Sequence, residues 1–256
     1  MDHLKRVAGE FARQATNFDR WAAKAADPGR IGAALGEVRR GRLLDVACGP
    51  GVVTAALAPE ASSVTGFDAT EAMLEKAKAR CADAGLSNVA FRSGDAENLP
   101  FKDAEFDGVV TRLAIHHFAA SQRALDDMFR VLRPGGAAVI VDTVSSEDPD
   151  ESALHNAVER LRDPSHVRML PASALDAAVH RAGFRDLEHA TWDMDRELEE
   201  WLAIIDDPAR VEPIRTVVRA LADSGRTAGF GLSVDRGRVV FFHRWHLIKA
   251  RKPNGA

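Results

Sequence analysis

Between Gly41 and Val141 short apolar runs alternate with stretches of helical period, and glycine-rich turns separate them. No other feature constrains the fold of this chain so tightly. Leu43-Leu44-Asp45-Val46-Ala47 runs into Gly49-Pro50-Gly51 and then into a helical stretch from about Val52 to Leu57. Ser63 to Phe67 is a second run. The helix after it opens near Thr70, buries Met73, Leu74, Ala77 and Cys81, and closes at Gly85. Val89 to Arg92, Phe106 to Thr111 and Ala137 to Val141 continue the pattern, with a helix over about 122–132 before the last run. Short apolar runs bounded by turns are strands buried on both faces, and their alternation with helices predicts a doubly wound α/β fold with a mostly parallel sheet.

The flanking segments differ in texture. Residues 4–25 place Leu4, Val7, Ala8, Phe11, Ala15, Phe18 and Trp21 on one helical face, Asp27-Pro28-Gly29 is expected to end that helix, and a short helix over 31–39 follows. Residues 143–180 are polar and helical where one crossover helix would suffice, and are read as an inserted cap. Leu187 to Trp192 then reads as a strand, about 196–205 and 208–222 as helices, and 238–250 as a long final strand lying antiparallel. The expectation is one Rossmann-like domain, 1–256, with a seven-stranded mixed sheet. Its parts are N-terminal lid helices (1–40), a ligand-binding core (41–142), the cap (143–180) and a C-terminal part of sheet and helices (181–252).

Composition narrows the function. The chain has 256 residues, and 46% hydrophobic content can fill a core. A net charge of −4 with both signs interleaved argues against a nucleic-acid partner. No apolar stretch suits a signal peptide or a membrane span, so a cytoplasmic location with no membrane partner is expected. Cys48 and Cys81 are too few for a disulfide framework, and no zinc spacing is present. Tyrosine is absent, so proton transfer falls to histidine, carboxylate or water.

The turn after the first strand is the natural ligand contact, because open α/β sheets bind at the carboxyl ends of their strands. Gly49-Pro50-Gly51-Val52-Val53-Thr54 lacks the third small residue of a dinucleotide loop and the lysine of a phosphate loop. Asp45-Val46-Ala47-Cys48-Gly49-Pro50-Gly51 instead resembles the first motif of the class I S-adenosylmethionine-dependent methyltransferases, with Ala47 in place of the usual first glycine. Gly66-Phe67-Asp68, Gly94-Asp95-Ala96-Glu97-Asn98-Leu99-Pro100-Phe101 and Val131-Leu132-Arg133-Pro134-Gly135-Gly136 match the later motifs in order. The resemblance covers most of the chain. It implies S-adenosyl-L-methionine as cofactor and S-adenosyl-L-homocysteine as product. It also implies cofactor contacts from Asp45, Ala47, Gly49, Gly51, Asp68, Ala69, Met73, Asp95, Ala96 and Arg112, with Asp68 on the ribose and Asp95 and Ala96 near the adenine.

The fourth strand leads into Thr111-Arg112-Leu113-Ala114-Ile115-His116-His117-Phe118. The end of that segment faces the acceptor in the resembled family, so His116 and His117 are the expected catalytic residues, as general bases. Phe18 and Trp21 on the lid, and Arg160 and His166 on the cap, are candidate acceptor contacts. His243 and His246 are three apart on a strand and point to opposite faces, so no metal site is expected from that pair. The resemblance extends to small-molecule enzymes of ubiquinone and menaquinone biosynthesis. It implies methyl transfer to an oxygen or activated carbon of a small aromatic, quinone-like or polyketide-like acceptor, by a monomer or homodimer. A non-methylating cyclisation, rearrangement or decarboxylation on the same fold is the alternative.

Overall fold

The computed structural model describes residues 3–13, 27–205 and 207–255. Eight strands form one sheet: β1 (Arg42–Val46), β2 (Ser63–Asp68), β3 (Val89–Ser93), β4 (Phe106–Arg112), β5 (Leu132–Val144), β6 (Arg185–Glu197), β7 (Ser233–Asp235) and β8 (Arg238–Arg251). Their order is β3-β2-β1-β4-β5-β8-β6, with β7 beside β8. Strands β1 to β5 pair in parallel, whereas β8 runs antiparallel to β5, β6 and β7. The expected mixed sheet is present, and short β7 is an addition to it. The helices are α1 (3–13), α2 (Pro28–Leu35), α3 (Val52–Leu57), α4 (Glu71–Asp83), α5 (Ser121–Val131), α6 (Pro149–Arg162), α7 (Ala172–Arg181), α8 (Leu198–Leu202) and α9 (Pro208–Asp223). Among the described residues no helix is long and apolar enough to cross a membrane.

Residue alternation along the strands builds two cores. Leu44, Val109 and Ile140 join the cluster holding Leu125 of α5 and Val179 of α7, while Leu43, Val110 and Val139 join the one holding Ile31 of α2 and Leu57 of α3. A third cluster lies beyond the sheet proper, where Val158 of α6 meets Trp201 of α8, Val218 of α9 and Phe241 of β8. The 143–180 segment therefore divides: α7 covers the sheet, and α6 forms a separate layer with α8 and α9. The helix end expected just before Asp27 lies outside the described residues, while Asp27 itself opens the next element. Its carboxylate accepts the Arg30 backbone N–H and caps α2, whose first residue is Pro28, so the Asp-Pro-Gly triplet starts a helix.

Gly51 shows what sets the loop after β1. It is left-handed at φ 74°, and a Cβ there would lie 2.7 Å from the Ala77 Cβ and 2.9 Å from its Cα on α4. Gly51→Ala should destabilise the protein by about 2 to 5 kcal/mol, combining left-handed strain with overpacking. Gly49, at φ 53° with nothing within 4 Å of its Cβ position, should lose only about 1 to 2 kcal/mol on the same change. Urea unfolding of the two variants checks the difference.

Candidate active site

A cavity of about 1090 Å³ opens at the carboxyl ends of β1, β2 and β4, where the strand order reverses. Its floor is the β1 loop. Ala47 is left-handed at φ 56°, a conformation that costs a non-glycine residue about 1 to 2 kcal/mol, so alanine at this motif position stores strain. The Asp68 carboxylate clasps two loops: one oxygen accepts the Gly49 N–H and the other the Thr70 N–H, each at 2.8 Å. The Thr70 side chain itself makes no cap hydrogen bond on α4.

Buried Asp45 and half-buried Arg112 line the same cavity, each within reach of the other's charge. Asp45 accepts the Thr54 hydroxyl at 2.6 Å. Burial pushes its carboxyl up to about 6, against the Thr54 hydrogen bond and the Arg112 charge, which favour ionisation. Arg112 is depressed by burial, and its Nη1 is buried without a hydrogen-bond partner. A buried guanidinium nitrogen left open beside a carboxylate offers one contact to a carboxylate and one to an ammonium, the two charges of an amino acid. Ala69, Met73, Asp95 and Ala96 line the far part of this cavity, and Asp95 accepts the Glu97 N–H. These residues fit the cofactor that the motifs imply. Gly51 does not line the cavity; its close approach serves α4. Cys48 does line it, with burial raising its thiol far above the usual range.

Helix α1 covers the opening. His3, Leu4, Val7 and Phe11 face the cavity, and His3 Nε2 donates to the His117 carbonyl at 2.8 Å. Buried Glu10 pairs with Arg210 of α9 at 3.0 Å, so α1 bridges the sheet edge and the α6–α8–α9 layer. Phe18 and Trp21 lie outside the described residues.

A second cavity, about 570 Å³, adjoins the first, and Phe11, Leu113 and His117 line both. His116 and His166 line the second. His116 Nδ1 lies 2.5 Å from Asp142 Oδ1, and its backbone N–H donates to Asp142 Oδ2 at 3.0 Å. Because a carboxylate only accepts, Nδ1 carries the proton and Nε2 is left as the basic nitrogen. Burial depresses the His116 imidazole, but the Asp142 charge and hydrogen bond outweigh it, and the pKa ends above the ordinary 6.5. His117 behaves oppositely. Burial, then the neighbouring His116 charge, lower it to about 4, and its Nδ1 lies 3.3 Å from the Ser165 carbonyl. His166, lowered to about 3 mainly by burial, bonds Asn156 Oδ1 through Nε2 at 2.8 Å.

Sequence inspection missed several members of this site. Asp142, at the carboxyl end of β5, carried a usable signal in that position; Arg162, Arg196 and Glu159 carried none, and His243 stands out in the sequence only beside His246. Arg160, the expected acceptor contact, is exposed, donates to the Val167 carbonyl and lines neither cavity. Arg162, two residues further along α6, lines the second cavity.

Comparison with known proteins agrees with this geometry. Residues 43–136 match a family model described as a methyltransferase domain. The chain is 34% identical over 188 residues to the uncharacterized methyltransferase YcgJ of Bacillus subtilis (strain 168), covering 72% of this chain and 74% of that one. The crystal structure of YcgJ superposes with a TM-score of 0.81 over 89% of this chain and 98% of its own, at 29% identity. The Bacillus halodurans C-125 protein BH2331 gives 0.82, 31% identity and coverage of 89% and 99%. The demethylmenaquinone methyltransferase of Clavibacter sepedonicus is 30% identical over 174 residues, which are 61% of this chain and 70% of that enzyme. With the four motifs in order, the strand-end cavity and these relatives, the chain belongs to the class I S-adenosylmethionine-dependent methyltransferases.

Proposed function

We propose that this single-domain enzyme methylates a hydroxyl oxygen, or a carbon of comparable acidity, on a small aromatic or quinone-like acceptor held in the second cavity. The carrying observation is the His116–Asp142 pair beside the junction of the two cavities. S-Adenosylmethionine supplies, when bound, a methyl group already activated on sulfur. The residues that would hold it are Arg112 and Asp45 at the amino-acid end, Gly49 and Ala47 through backbone, and Asp68 with Ala69 and Met73 near the ribose. Asp95 and Ala96 would sit near the adenine.

The rest is positioning and proton transfer. Alignment of an acceptor in an enclosed site supplies roughly 7 to 11 kcal/mol of such a barrier. His116 Nε2 takes the acceptor proton, and Asp142 stabilises the resulting imidazolium. His117, neutral and tied to Ser165, shapes the wall between the cavities. Arg162 and Arg196 add positive charge to the acceptor side, with Glu159 and Asp163 as the opposing carboxylates. Similarity to the Clavibacter demethylmenaquinone methyltransferase supports an electron-rich ring as the methyl acceptor.

The purified enzyme should be incubated with methyl-labelled cofactor and a panel of phenols, quinols and acidic 1,3-dicarbonyls. Label is expected in an acceptor product together with S-adenosylhomocysteine. Turnover of an acceptor whose products never contain label would overturn methyl transfer in favour of a non-methylating reaction.

A further inference from the structure

Behind the wall of the second cavity, His155 stands one turn before Glu159 on α6, and His243 faces them from β8. His243 Nε2 is 2.9 Å from Glu159 Oε1, and His155 Nε2 is 3.8 Å from the same oxygen. All three ligand atoms lie within 4.8 Å of one another. Ligand atoms about 2.0 to 2.2 Å from a shared ion sit roughly 3 to 3.5 Å apart, so small rotations of these side chains would complete a coordination shell.

Among the described residues, His155 stands out as a buried imidazole with both ring nitrogens unmet. It is 1% exposed, and neither ring nitrogen has a hydrogen-bond partner. Its ring stacks on Phe230 at 4.3 Å, which holds its orientation. A buried imidazole with two unmet nitrogens costs free energy unless something outside the protein's own atoms answers it. We propose that His155, Glu159 and His243 form a binding site for one divalent first-row transition-metal ion, such as zinc or iron, with its open positions toward the second cavity.

Two imidazoles and one carboxylate on one side of an ion are the donor set of sites that keep positions free. Burial lowers His155 to about 3 and also lowers His243, so both imidazoles are neutral at neutral pH, and the hydrogen bond from His243 helps to keep Glu159 ionised despite burial. Glu159 accepts the His243 Nε2–H in the ion-free protein, so an ion bound at that nitrogen would displace its proton. Glu159 and His243 line the cavity, which gives the ion a path in. Arg162 and Arg196 oppose a cation here, while Glu159 and Asp163 balance them. A metal would therefore shift the cavity toward an anionic, oxygen-chelating acceptor. That use of the ion rests on the acceptor reading above; its binding does not.

His246 belongs elsewhere. It meets Asp176 at 2.9 Å and stacks on His189, forming a more exposed cluster that could bind metal on its own. The test therefore uses the full chain carrying His189→Ala, stripped with chelator and titrated with Co²⁺ followed by visible absorption. Zn²⁺ stoichiometry is measured by equilibrium dialysis. One ion per chain is expected, with affinity falling at least about 10- to 100-fold in Glu159→Gln and in His155→Phe, which keeps the stack on Phe230. Absence of Co²⁺ bands, or equal affinity in these variants, would overturn the site. S-Adenosylhomocysteine affinity, measured alongside, should be unchanged within about twofold; its loss in the parent chain would instead count against the cofactor assignment.

Discussion

His116→Ala should lower kcat by about 10²- to 10⁴-fold, the usual contribution of a positioned general base, while S-adenosylhomocysteine binds as before. His116 lines the acceptor-side cavity and not the larger one, so cofactor affinity has no reason to change. Asp142→Asn should come close to the same loss. Asp142 accepts the His116 Nδ1–H, the His116 backbone N–H and the Thr143 N–H, so an amide would present a donor where only acceptors fit. The pH profile gives the second readout. The base must be neutral to act, and the Asp142 charge outweighs burial to put its pKa above 6.5. In the parent enzyme kcat/KM should therefore fall as pH drops through that raised value, about tenfold per unit, and this limb should vanish in His116→Ala. A variant with near-parent turnover and the same acidic limb would remove His116 from the mechanism. His117→Ala supplies the contrast, since a wall residue should move KM for the acceptor more than kcat.

The reason His116 and His117 separate is tertiary and could not be read along the chain. Both share a segment after β4, and either could have been the base by spacing. What distinguishes them is the register that pairs Arg112 with Val141, bringing the turn after β4 beside Asp142. Arg160 and Arg162 differ in the same way: two residues on a helix turn a side chain about 200° around the axis, and only packing of Val158 and Trp201 decides which face meets the cavity. The cofactor half was far more legible. Buried strands and left-handed glycine turns are dictated locally, so the buried face of α4, Met73, Leu74, Ala77 and Cys81, follows from periodicity alone. Gly51 shows the limit of motif reading, because its position matches the motif while its close neighbour is Ala77.

Asp68→Ala carries the other large effect, and the structure separates its two causes. Each carboxylate oxygen already accepts a backbone N–H, from Gly49 and from Thr70, so truncation leaves two donors of the loops unmet. At about 1 to 3 kcal/mol for each donor lost to burial, stability should fall by roughly 2 to 6 kcal/mol. If the same carboxylate also accepts the cofactor's ribose hydroxyls, binding loses charge-assisted hydrogen bonds worth about 1.5 to 3 kcal/mol each. Affinity for S-adenosylhomocysteine should then drop by about 10²-fold or more, even at temperatures where calorimetry shows the variant fully folded. An analogue lacking both ribose hydroxyls distinguishes contact from clasp. Against that ligand the parent and Asp68→Ala should differ far less than they do against S-adenosylhomocysteine. Equal losses for both ligands would mean that Asp68 acts only by holding the Gly49 loop in place, and the ribose would need another partner.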